Sequence, residues 1–132
     1  MVATVDRLGT WDDVWSGVEG ERLEIGEHVR SLVTGLHAGT TMVPRKGDGA
    51  VSFGFGEKKM SESYCYVAPK TKWVNLGFWH GVDLPDPDGL MEGTGKRLRH
   101  VKLRDIATAR SAAVARLVHA SMEERRAALD LD

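Results

Sequence analysis

The sequence predicts an α+β protein in which helices from both ends of the chain pack on an antiparallel sheet of about five strands. Three observations carry that prediction. Apolar residues recur at helical spacing near both ends, they alternate with polar ones in the middle third, and the runs in the middle are joined by short connections. Short links favour antiparallel pairing, because a parallel crossover consumes a dozen or more residues.

The first helical segment places Trp11, Val14, Trp15 and Val18 on one side, with Thr10 as its N-cap. After Gly20, the residues Ile25, Val29, Leu32, Val33 and Leu36 trace the buried stripe of a longer helix ending near Gly39. Glu24, Glu27, His28 and Ser31 fall on its outer face. The period then changes. A strand is expected over Thr40 to Pro44, and another where Val51, Phe53 and Phe55 alternate with Ser52 and Gly54. Ser61 to Ala68 and Lys72 to Trp79 read as strands whose short connection, Ala68-Pro69-Lys70-Thr71, is compatible with a hairpin. A long loop, Gly81 to Gly95, precedes a strand over Arg97 to Leu103. A last helix is expected from Arg104 or Asp105, with Ile106, Ala109, Ala113 and Leu117 inward, then a short helical tail from Met122.

Composition bounds the rest. The 132 residues suit one domain, and 42% hydrophobic with 28% charged residues is a globular balance. No apolar run approaches the ~20 residues that cross a bilayer. The N-terminus has no apolar signal core, and the single cysteine, Cys65, permits no internal disulfide. A reducing, cytoplasmic setting is the expectation. The net charge of −1 argues against a protein devoted to nucleic acid. The charge is uneven, however: acids crowd Asp12 to Glu27 and bases crowd Lys96 to Arg104. The bases are expected to pair with the acidic helix surface, within one chain or across a homodimer.

Three segments follow one another in a recognisable order: Trp73-Val-Asn-Leu-Gly-Phe-Trp-His-Gly81, Leu84-Pro-Asp-Pro-Asp-Gly-Leu90 and Glu92-Gly-Thr-Gly-Lys-Arg-Leu-Arg-His100. This pattern resembles the YdhG-like family (domain of unknown function 1801), most strongly over Tyr64 to Leu103. The resemblance implies an α+β domain. One branch of the family has been described as a frataxin-like iron chaperone, which implies iron as a ligand and the early acids as its holders.

Asn75 stands between Trp73 and Trp79 on one face of its strand, while Val74, Leu76 and Phe78 share the other. A buried amide needs partners, so Asn75 either braces the long loop or lines a pocket with Tyr64, Tyr66 and His100. Gly93-Thr-Gly-Lys96 approaches a phosphate loop but fails it: Leu90 holds the first glycine position and Arg97 the Ser/Thr position. A weak anion nest helped by Lys96 and Arg99 is the remaining reading, against a plain glycine turn. For metal, His80, Asp83, Asp86 and Asp88 lie close in sequence with His100 on the next strand, and Glu24 and His28 form an i, i+4 pair. Aspartates beside prolines more commonly make turns. Tyr64, Tyr66, Trp73 and Trp79 are expected to pack under helices. No nucleophile elbow or cysteine–histidine signature is present, so no catalytic machinery is read here.

These residues point to a non-enzymatic binding protein with a sheet-and-loop pocket for a small ligand or metal ion. Tyr64, Tyr66, Asn75, Trp79, His80, Asp86, Lys96, Arg99 and His100 are the expected ligand-binding residues, and Glu24, Glu27 and His28 the expected metal ligands. The contrasting reading is a self-associating module in which acidic and basic faces meet between two copies.

Overall fold

The computed structural model describes residues 1–131. Its sheet runs β1 (Ala3–Thr4), β2 (Thr41–Arg45), β3 (Ala50–Gly54), β4 (Ser63–Pro69), β5 (Val74–Phe78) and β6 (Arg99–Leu103), neighbours in that order. From β2 onward every pairing is antiparallel, so the expected meander is present. The strand beyond expectation is β1, which lies parallel to β2 and makes the sheet six-stranded among the described residues. A two-residue strand has no period to read. It is held because Ala3 and Val5 donate to the Thr40 and Met42 carbonyls.

The helices are α1 (Trp11–Trp15), α2 (Glu21–Leu36), α3 (Ile106–Ala109) and α4 (Ala112–Ala128). Thr10 caps α1 through a reciprocal bond with Asp13, and that contact holds the Asp13 carboxyl below its usual range. The C-terminal segment differs from expectation. Asp105 caps only the short α3, and Ser111 accepts from Val114 N–H at 3.3 Å to open a second helix. That helix then runs unbroken through Met122, so no separate tail exists.

Ile25, Val29 and Val33 of α2 and Val114, Leu117, Val118 and Met122 of α4 bury together against Met42, Val51, Phe53, Cys65, Val67, Leu76, Phe78, Val101 and Leu103. These strand residues share one face by register. All four helices contribute to this one core cluster, and both long helices contact β4 at the centre of the sheet. Cys65 sits fully inside it, and burial pushes its thiol well above the ordinary range, as expected of a small apolar filler. The alternate residues, Val43, Ser52, Tyr66, Gly77 and His100, form a row on the opposite face.

At the C-terminal end of α2, His37 Nδ1 lies 2.8 Å from the Tyr64 hydroxyl, which lies 2.6 Å from Thr40 Oγ1. Phe55 packs on both rings. Desolvation first, then Arg126 and the N-terminal amine, lower the His37 pKa from its ordinary 6.5. The unfolded chain therefore takes up a proton near pH 6.5 that the folded chain refuses until a lower pH. Stability is thus greatest above this window and lost as pH falls through it. The urea midpoint should decline between about pH 7.5 and about pH 5, and His37→Gln should flatten that decline. An equally steep decline in the variant would assign the effect to other groups.

Candidate functional site

The helix-free face of the sheet carries two adjoining grooves that share Trp79 and Leu98. The first encloses about 180 Å³ and is lined by Arg45, Asp48, Ala50, Ser52, Lys59, Tyr66, Ala68, Lys70, Trp79 and Leu98. The second, about 460 Å³ and more open, is lined by Met60, Trp79, Lys96, Arg97 and Leu98.

Tyr66 and Trp79 form the floor where the grooves meet. Gly77 stands opposite Tyr66 in the β4–β5 register, and a methyl at Gly77 would lie 1.9 Å from the Tyr66 ring. The ring therefore lies across the bare glycine backbone. Trp79 tilts against it at 45° with centroids 5.0 Å apart. Among the described residues its buried indole N–H has no acceptor, so ring contacts and not a hydrogen bond hold the ring. Burial raises the Tyr66 pKa, which keeps the hydroxyl protonated and able to donate.

Charge on this face is one-sided. Among the residues that line the two grooves, Arg45, Lys59, Lys70, Lys96 and Arg97 stand against one carboxylate, that of Asp48, in a chain of net charge −1. Asp48 is occupied by Lys59 at 2.7 Å, and that ammonium also sits 5.7 Å from the Trp79 ring centroid. Arg45 is oriented by bonds to Ser52 Oγ (3.2 Å) and the Glu57 carbonyl (2.7 Å). At the far end, Lys102 and Arg104 lie on Trp73, which closes that end with the chain's own cations.

The structure separates the sequence-predicted site residues. Tyr66 and Trp79 meet, and Lys96 joins them across the second groove. His100 lies on the same face, one strand beyond Gly77. Asn75 also stands on this face, opposite Ala68, whereas Tyr64, Asp86 and Arg99 lie elsewhere. Tyr64 sits on the core side, bound to Thr40 and His37, with its hydroxyl pKa driven up by burial. Asn75 accepts from Trp73 Nε1 at 2.7 Å, so its partner is the neighbouring indole rather than the long loop or a ligand. Asp86 accepts from the backbone N–H groups of Leu90 and Met91, making it a turn brace. Arg99 donates to the Gly95 and Leu98 carbonyls, which ties its charge to the loop. The expectation that all four aromatic residues pack under helices is corrected for Tyr66, Trp73 and Trp79, because alternation along the hairpin turns them away from the core.

The Gly81–Gly95 loop, expected to form a pocket with the sheet, turns part of its length to α4. Pro85, Pro87 and Leu90 face Ala113, Arg116 and Leu117 of α4 around a depression of about 100 Å³. Two of the early acids have partners within the chain. Glu24 reaches toward Arg110 and Glu21 accepts from Ile106 N–H, so this surface partly serves to fasten α3. Among the described residues, the metal-type cluster is His80, Asp83 and Glu124, with donor atoms within 4.8 Å of one another. It includes His80 from the expectation, but not Glu24, Glu27, His28, Asp86 or His100.

Sequence reasoning missed Arg45, Lys59, Lys70 and Arg97. For Arg45 the signal was present, since its alternation with Pro44 puts it opposite Ala50 on this face. Lys59 lies in an irregular segment, where no period exists to follow, and Arg97, expected to open the last strand, lies before β6, which begins only at Arg99.

No family model, curated protein or solved structure matches the chain. Among the described residues no helix is long and apolar enough to cross a membrane.

Proposed function

We propose that the protein is a binding domain whose helix-free sheet face takes a small anion bearing a flat unsaturated ring. The observation that carries this reading is the Tyr66 ring laid over Gly77 beside Trp79, in grooves lined by five cations and one, already paired carboxylate. A flat ring gains contact on the aromatic floor, and an anionic group gains from Lys96 and Arg97 at one end or Arg45 and Lys70 at the other. Ring and charge together match this surface better than either alone. The hairpin that supplies Tyr66 and Trp79, and the turn that supplies Lys96, are also the segments in which the YdhG-like resemblance is strongest.

Nucleoside monophosphates test the reading directly, with adenosine and inorganic phosphate as separate arms. Calorimetric titration should show the monophosphate binding more tightly than either fragment. Trp79→Ala should weaken it by roughly tenfold or more, since stacking on an aromatic side chain contributes about 1–3 kcal/mol. Lys96→Ala with Arg97→Ala should weaken it and flatten its salt dependence. Saturable binding that survives Trp79→Ala unchanged would place the site elsewhere, and no binding to any arm would remove this ligand class.

A further inference from the structure

We infer that His80, Asp83 and Glu124 form a binding site for one divalent transition-metal cation, at the seam between the end of β5 and α4. It lies behind the sheet, distinct from the face on which Trp79 sits, and does not rest on the reading given above.

His80 is only 8% exposed, and its Nε2 lies 2.7 Å from the Met60 carbonyl oxygen. A carbonyl only accepts, so the proton is on Nε2 and the lone pair is on Nδ1. Among the described residues Nδ1 has no hydrogen-bond partner. An imidazole fixed by an N–H bond to a backbone carbonyl, with its other nitrogen free, is how metal-ligating histidines are oriented.

Glu124 has matching support. Arg125 grips its carboxylate with Nε at 2.7 Å and Nη2 at 2.6 Å, and uses its third nitrogen on the Ser61 carbonyl at 3.0 Å. Each carboxylate oxygen retains a second lone pair beyond the bidentate bond. The segment Met60–Ser61 thus positions two donors at once, His80 directly and Glu124 through Arg125. Asp83 completes the group from a short 3-10 turn, Gly81–Asp83, where its backbone N–H bonds the His80 carbonyl at 3.0 Å. Its exposed side chain is free to close on an ion held by the other two.

The donor chemistry selects the cation class. One imidazole nitrogen with two carboxylates suits manganese, ferrous iron, cobalt or zinc, whereas magnesium and calcium favour all-oxygen shells. Two carboxylates with one guanidinium leave a net negative site, and three protein donors leave coordination positions for water.

Cobalt(II) titration of chelator-stripped protein, followed by calorimetry and visible absorption, tests the inference. One equivalent should saturate the wild-type chain and raise its Tm. Asp83→Asn and Glu124→Gln should each weaken uptake by about tenfold or more and abolish the Tm gain. Glu123→Gln, which alters an acid directed at His119 and Arg126, should leave uptake unchanged. Because Glu124→Gln frees Arg125 and could harm folding, Asp83→Asn at an exposed position decides if the two disagree. No saturable uptake by the wild-type chain, or uptake unweakened by Asp83→Asn, overturns the site. Trp79→Ala should retain cobalt uptake, which keeps this result separate from ligand binding on the sheet face.

Discussion

Gly77→Ala should destabilise the protein by about 2–3 kcal/mol, a large cost for one methyl group on a strand. A β-carbon there would sit 1.9 Å from Tyr66 Cε2, 2.0 Å from Cζ and 2.5 Å from the hydroxyl oxygen. All three are atoms of one rigid aromatic side chain, so relief requires the whole ring to move. The Tyr66 ring has to lift from the sheet, which abandons its packing on Trp79. Urea denaturation measures the loss, and a double-mutant cycle assigns it. In a Tyr66→Ala background the same glycine substitution should cost under about 1 kcal/mol. An equal cost in both backgrounds would mean that the glycine serves the backbone and not the ring. The substitution should also weaken any ligand that uses the Tyr66–Trp79 floor, because the floor no longer lies flat.

The second large effect runs against helix propensity. Gly26 lies inside α2, where alanine would ordinarily gain about 1 kcal/mol. Here its β-carbon would fall 2.3, 2.5 and 2.7 Å from three carbons of the Trp15 ring. Trp15 is 3% exposed and stacked on Trp11 with planes 16° apart, and Arg30 lies over Trp11 at 4.5 Å. With no room to withdraw, the tryptophan must repack, and Gly26→Ala should lower stability by about 2 kcal/mol net. Gly35 supplies the control on the same helix. Nothing lies within 4 Å of a methyl placed there, so Gly35→Ala should be neutral or stabilising by up to about 1 kcal/mol. Opposite shifts in the urea midpoint are the expected result. If both substitutions stabilise, the packing of Trp15 on Gly26 is not what holds α1 in place.

Much of this architecture was legible in the chain. The stripe Ile25, Val29, Val33 identified the buried side of α2, and the alternation through Val74 to Phe78 identified the two sides of β5 correctly. Thr10 as a cap was equally local. What failed had local causes too. Two residues of β1 are too few to show a period, and Ser111 interrupts a helical pattern that otherwise reads as continuous from Asp105. The candidate site was less legible than the fold. Tyr66, Trp79 and Lys96 were named from sequence, but so were Tyr64 and Arg99, whose polar atoms the structure commits to Thr40, His37 and loop carbonyls. Hydrogen-bond partners far along the chain leave no mark on composition or spacing.

By itself the sequence determined the class of each main element, the residues that share a face, and the overall mixture of helix and antiparallel strand. These follow from φ/ψ preferences and side-chain periodicity, which act over a few neighbouring residues. The tertiary structure alone decided which face is covered. Alternation states that Tyr66 and Val67 point in opposite directions, yet not which of them meets a helix. That choice was made when α2 and α4, from opposite ends of the chain, buried their stripes on the more apolar side of the sheet. The residues turned away were left to form a basic, aromatic surface, and Glu124 was carried to within reach of His80 by the same docking of α4.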